Sequence, residues 1–131
     1  MPRLLLLAAP LVTAACLPDL SGGWVGRCDF EDDTYEETSV VELTVDNGRG
    51  NRIEGSLFVL MFDDRELQGP VSGVRSDSFI ELDANLPTED GTFTFQVEGD
   101  VEEDAIEGTC TLGVPGGGAG AGLSGELTLE R

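Results

Sequence analysis

From Trp24 to Glu130 the chain alternates apolar and polar residues, and no window holds the 3.6-residue period of an amphipathic helix. A period of two belongs to strands with one buried and one wetted face. Eight runs carry it: Trp24 to Phe30, Ser39 to Asp46, Arg52 to Phe62, Glu66 to Val74, Phe79 to Asn85, Gly91 to Asp100, Ala105 to Val114 and Gly122 to Glu130. Turn clusters punctuate them, among them Asp46-Asn47-Gly48, Asp63-Asp64, Ser76-Asp77-Ser78, Glu89-Asp90-Gly91 and Glu102-Glu103-Asp104. No gap is long enough for a helical crossover, so the strands pair antiparallel.

A short repeat runs through the strands: apolar, any residue, Gly, any residue, apolar. It occurs around Gly26, Gly55, Gly69, Gly99, Gly108 and Gly125. Glycine inside a strand weakens it and marks a bend or a close backbone approach. By parity each of these glycines faces the same way as its apolar neighbours. Inward glycines suit a tightly curled sheet, because inward side chains collide at small radius. The expected fold is therefore all-β: one antiparallel up-and-down barrel of about eight strands over residues 23–131, its last strand pairing beside its first.

Parity also assigns faces. Trp24, Gly26, Cys28 and Phe30 share one face, and Ile106, Gly108, Cys110 and Leu112 share another. Val41, Leu43 and Val45 point inward from the second strand, and Phe93, Phe95 and Val97 from the sixth. Glu42, Thr44, Glu54, Glu98, Glu107, Glu126 and Glu130 point outward. The third strand breaks the rule, since Leu57-Phe58-Val59-Leu60-Met61-Phe62 is apolar on both faces. It is either partly covered by the N-terminal segment or a loop, an exposed docking patch, or a strand whose end is misplaced. Residues 115–122, Pro and then Gly and Ala, read as a hairpin loop before the last strand.

Charge removes several function classes. Of 131 residues 26 are acidic and seven basic, all seven Arg; there is no Lys and no His. His-based triads, His metal sites, Schiff-base lysines and P-loop lysines are thus excluded. A formal charge of −19 repels phosphate, so no nucleic-acid partner is expected. The acid clusters around Asp29 to Asp33, Asp63 to Glu66, Glu89-Asp90 and Asp100 to Asp104 fall mostly at turns, where carboxylates are simply solvated. No catalytic residue, metal site or cofactor is expected from them. The stretch Asp46 to Asn51 has a passing likeness to a calcium loop but reads as a hairpin turn.

The N-terminus carries Arg3, a short apolar run from Leu4 to Val12, small residues Ala14-Ala15, and then Cys16. This is the layout of a signal peptide over residues 1–15, too short for the roughly 20 residues of a spanning helix. The Ala-Ala-Cys end resembles the lipobox of bacterial lipoproteins, whose Cys is lipidated and becomes the mature N-terminus. Here Thr13 stands where that family usually has Leu. The resemblance implies Cys16 as lipid anchor, residues 16–22 as linker, and a bacterial cell-envelope location on the outer membrane. The alternative is an ordinary cut near Ala15 that leaves Cys16 as a thiol. Export places the chain in an oxidising space. With Cys16 lipidated, Cys28 and Cys110 remain, and their inward faces make a bridge geometrically reasonable; two buried thiols are the alternative. A bridge would close a loop of about 82 residues and contribute about 4 kcal/mol on the chain-entropy account.

The opening Ser21-Gly22-Gly23-Trp24-Val25-Gly26 resembles the Gly-x-Trp start of lipocalins and the Gly-Thr-Trp start of avidin-like barrels. The resemblance implies a calycin-like barrel with Trp24 packed across its closed end. The chain departs from the lipocalin pattern in its shortness, in lacking the C-terminal helix, and in lacking the basic residue expected over the Trp. Its single Trp also departs from avidin-like ligand sites. A non-catalytic envelope lipoprotein follows, with Trp24, Phe93 and Phe95 as candidate lining residues for a small apolar ligand. Two alternatives stand beside it. One is an acidic surface that meets a cationic protein partner, similar in class to small lipid-anchored barrels that inhibit lysozyme. The other is a purely structural envelope lipoprotein.

Overall fold

The computed structural model describes residues 19–31, 36–61, 64–116 and 122–131. Cys16, the leader and Phe62 lie outside the described residues. Eight strands follow one another: β1 (Gly22–Glu31), β2 (Glu36–Asn47), β3 (Arg52–Leu60), β4 (Glu66–Ser76), β5 (Phe79–Thr88), β6 (Gly91–Glu102), β7 (Ala105–Gly113) and β8 (Gly122–Glu130). Each pairs antiparallel with the next, and β1 closes on β8 to complete the barrel. Up-and-down closure leaves no free sheet edge.

Alternation decides which face is buried. Outward Glu42, Glu54, Glu98, Glu107, Glu126 and Glu130 are exposed, while Val41, Leu43, Val45, Phe93, Phe95 and Val97 are buried. Strands run past the apolar stretches at several ends: β2 starts at Glu36, not Ser39, and β5 and β6 extend to Thr88 and Glu102. The partner strand supplies those extra pairs, as Glu31 does for Glu36 and Ala105 for Glu102. On β3 the strand ends at Leu60, short of Phe62. Leu57, Val59 and Met61 are buried, whereas Phe58 and Leu60 are half-buried on the outer face.

The repeated glycines lie where neighbouring backbones come closest. A methyl group on Gly26 would overlap the Thr128 carbonyl oxygen of β8, and one on Gly125 the Asp29 carbonyl oxygen of β1. Gly55, Gly69 and Gly108 meet the Thr44, Asn85 and Glu98 carbonyls of adjacent strands in the same way. Strand curvature at these points brings carbonyls into the space a side chain would need.

Cys28 and Cys110 form a disulfide, with 6.2 Å between their Cα atoms. They sit on β1 and β7, which are not neighbours, because β8 runs between them. Cys28 pairs with Leu127 of β8 and Cys110 with Gly125. The bridge therefore spans β8 from inside the barrel and ties the β1–β8 seam to β7.

Candidate functional site: the two ends of the barrel

One end is stoppered by side chains. Trp24 is fully buried there, and its indole Nε1–H donates to the Leu20 carbonyl at 2.9 Å. Leu20 is itself buried, ahead of β1, and its N–H donates to Gly48 O at 3.2 Å in the β2–β3 turn. Gly48 N–H returns a bond to Ser21 Oγ at 3.0 Å. A side chain at Gly48 would press on Ser21 and Leu20 backbone, so the turn needs glycine to receive the segment.

Arg131 and Arg75 complete the stopper, and the exposed Arg49 pairs with Asp19 at its rim. The Arg131 guanidinium stacks on Trp24, 4.5 Å from the ring centroid, a cation–π contact. Its Nη1 donates to Asp19 O at 2.8 Å and its Nε to Asp104 Oδ1 at 3.1 Å. Arg131 is thus the basic residue over the Trp that the sequence reading found lacking; closing β8 on β1 brings it there from the far end of the chain. Arg75 is buried, donating through Nε to Asp77 O at 3.0 Å and through Nη1 to Gly48 O at 3.4 Å. Arg49 Nε donates to Asp19 Oδ2 at 3.0 Å.

Hydrogen bonds from the Ser21 N–H and hydroxyl, helped by Arg49, hold the Asp19 carboxyl at a pKa of about 2, below its ordinary 3.8. A folded-state pKa depressed in this way adds stability that is complete above about 4 and lost as pH falls through 2. Comparing Asp19→Asn with the parent chain in denaturant melts from pH 6 to pH 2 checks this. The parent should be the more stable at pH 6, and the difference should disappear near pH 2; a constant difference would contradict the assignment.

The other end is built differently. Phe30 at the end of β1, Ser39 near the start of β2, Met61 after β3, and Phe93 and Phe95 at the start of β6 are all buried and inward. Ser39 is the polar member, fully buried, and its hydroxyl donates to Met61 Sδ at 3.6 Å. The Arg65 guanidinium lies 5.5 Å from the Phe93 ring centroid. Of the three candidate lining residues, the structure brings Phe93 and Phe95 together at this end and places Trp24 at the opposite one. Sequence parity fixed all three as inward but carried no information on height within the barrel. Ser39 went unmarked because a lone Ser in a strand is ordinary, and Met61 was marked only as part of the double-faced apolar run of the third strand.

The outer surface is uneven in charge. All carboxylates from Asp77 to Glu130 lie in a stretch with no Arg. Acidic residues stand opposite each other across adjacent strands at Glu81–Glu98 and Asp100–Glu107 on this side, and also at Asp29–Glu126 and Glu31–Glu36. On the β8–β1–β2 side a shallow groove of about 440 Å³ runs between Val25, Arg27, Val40 and Thr128, with Val25 and Val40 exposed. Among the described residues no group of three or more acidic or Cys side chains is arranged to hold a metal ion.

No family model matches the chain, and no curated protein matches it. A solved structure described as EF1p2_mFAP2b bound to DFHBI is similar in fold, with a TM-score of 0.66 over 86% of this chain and 93% of that one. The two sequences are 15% identical, a likeness of fold alone. The chain is thus a small closed antiparallel β-barrel with Trp24, Leu20 and Arg131 packed across one end.

Proposed function

We propose that the protein is a non-catalytic, lipid-anchored carrier or sensor of the bacterial cell envelope that takes a small apolar molecule into the mouth opposite Trp24. The observation carrying this reading is the asymmetry of the two ends. One end carries Leu20, Trp24 and Arg131, tied together by hydrogen bonds and a cation–π contact; the other carries buried Phe30, Phe93, Phe95 and Met61, with Ser39 and half-buried Glu37 on β2. An eight-stranded barrel is just wide enough to be filled by side chains or to hold one small ligand. The similar barrel described as bound to DFHBI supports the second use.

A lipid on Cys16 fits this arrangement. Cys16 precedes Asp19 by three residues, and Asp19 belongs to the stoppered end. Three extended residues reach about 10 Å, so an anchor there would set the stopper toward the membrane and the mouth away from it.

A native mass spectrum of the exported protein tests the reading. A reproducible small-molecule adduct should appear, and Phe95→Ala should lose it while keeping the disulfide mass. A bare mass under all growth conditions would contradict it.

The charge asymmetry favours a second reading, capture of a cationic protein on the β5–β8 face. Like charges set directly opposite each other destabilise a sheet, and a basic partner would relieve them. Such a complex would weaken steeply with salt; a salt-insensitive complex would count against it.

A further inference from the structure

Ser39 is an unusual residue for its place. It lies on β2 near the end opposite Trp24, without solvent exposure, between the inward positions of half-buried Glu37 and buried Val41. A buried hydroxyl costs free energy unless it is well hydrogen-bonded. The acceptor it has is the Met61 thioether at 3.6 Å, and thioether sulfur accepts only weakly. Alanine or valine there would suit a purely packed core better.

The barrel geometry gives that hydroxyl a direction. In the closed ring β2 and β6 are four strands apart by either route, so they face each other across the lumen. Ser39 stands on one wall, and Phe93 and Phe95 on the other, at the same end. Met61 is the neighbour best able to yield space, being unbranched and flexible.

We propose that Ser39 is a specificity residue, whose hydroxyl donates to a carbonyl oxygen of an aromatic ketone or aldehyde lying against Phe93 and Phe95. The bound oxygen takes the place of Met61 Sδ as acceptor, and the thioether swings aside. This inference rests on the ligand-binding reading above and narrows it to a chemical class.

Two probes separate the inference from that reading. Prodan carries a naphthyl ketone; phenylnaphthylamine has aromatic rings and no oxygen. Each is titrated against the exported full-length protein in detergent micelles, with bound adducts counted by native mass spectrometry. Ser39→Ala should weaken prodan about five- to tenfold, the worth of one ordinary hydrogen bond, and leave phenylnaphthylamine within about twofold on the same scale. Ser39→Thr, which keeps the hydroxyl, should restore prodan. Unchanged disulfide mass and Trp24 emission show that each variant folds. Equal effects of Ser39→Ala on both probes overturn the role of Ser39 while leaving the ligand-binding reading in place. Failure of the parent protein to bind either probe overturns both.

Discussion

Replacing Cys28 and Cys110 together by alanine is expected to cost about 4 kcal/mol, lowering the melting temperature by roughly 15–20 °C. The bridge closes a sequence separation of 82, so the unfolded chain loses much freedom when it is present. It also acts at the pairing that closes the barrel. The β1–β8 seam joins the two ends of the sheet and is held by six residue pairs, from Val25–Glu130 to Phe30–Gly125, fewer than the ten between β1 and β2. Spanning β8 from within, the disulfide keeps that seam shut. Both cysteines are fully buried, so reductant should leave the native protein bridged until it unfolds. Thermal melts of the double variant and the parent check the loss. A change under about 1 kcal/mol would mean that the seam holds without the bridge.

Gly26→Ala is expected to cost about 3 kcal/mol or more, an overpacking penalty at the upper end of the usual range. The added methyl would overlap the Thr128 carbonyl oxygen and press on the Leu129 Cα, both backbone atoms that no rotamer change can move. β1 and β8 would have to part at the seam. Gly23 gives the internal control. It lies three residues earlier in the same strand, with no heavy atom within 4 Å of a Cβ placed on it, so Gly23→Ala should be neutral or slightly stabilising. Denaturant titrations of the two variants side by side would decide. Equal effects would show that the glycine repeat reflects composition rather than close strand approach.

Most of the fold was legible because its signals are local. Alternation marked all eight strands, and the glycines sharing a face with Cys28 and Cys110 showed that the sheet must curl tightly enough for a barrel. The features that stayed hidden depend on closure. Arg131 reaches Asp19 from 112 residues away, and nothing near Arg131 in sequence points to Trp24. Leu20 is a single apolar residue in a polar stretch, and only the Gly48 turn turns it into a stopper. Strand ends were misjudged where the partner strand, not side-chain polarity, sets the boundary, as at Glu36. The double-faced apolar run of β3 resolved into a buried inner row and half-buried Phe58 and Leu60, the latter opposite the exposed Val40 of β2. At the site, parity placed Trp24, Phe93 and Phe95 inside the barrel, but height along the axis follows from strand order and register, which separate Trp24 from the two phenylalanines.

The central claim is that this barrel has a sealed end and a receiving end. Titrating the protein with phenylnaphthylamine while following two-dimensional amide and indole NMR tests it most directly. Trp24 is the only tryptophan, so its indole N–H gives one unambiguous signal from the sealed end. The predicted result is saturable movement of signals from Ser39, Met61, Phe93 and Phe95 with the Trp24 indole unmoved. Movement centred on Trp24 and Leu20, or on the outer groove at Val25 and Val40, would contradict it.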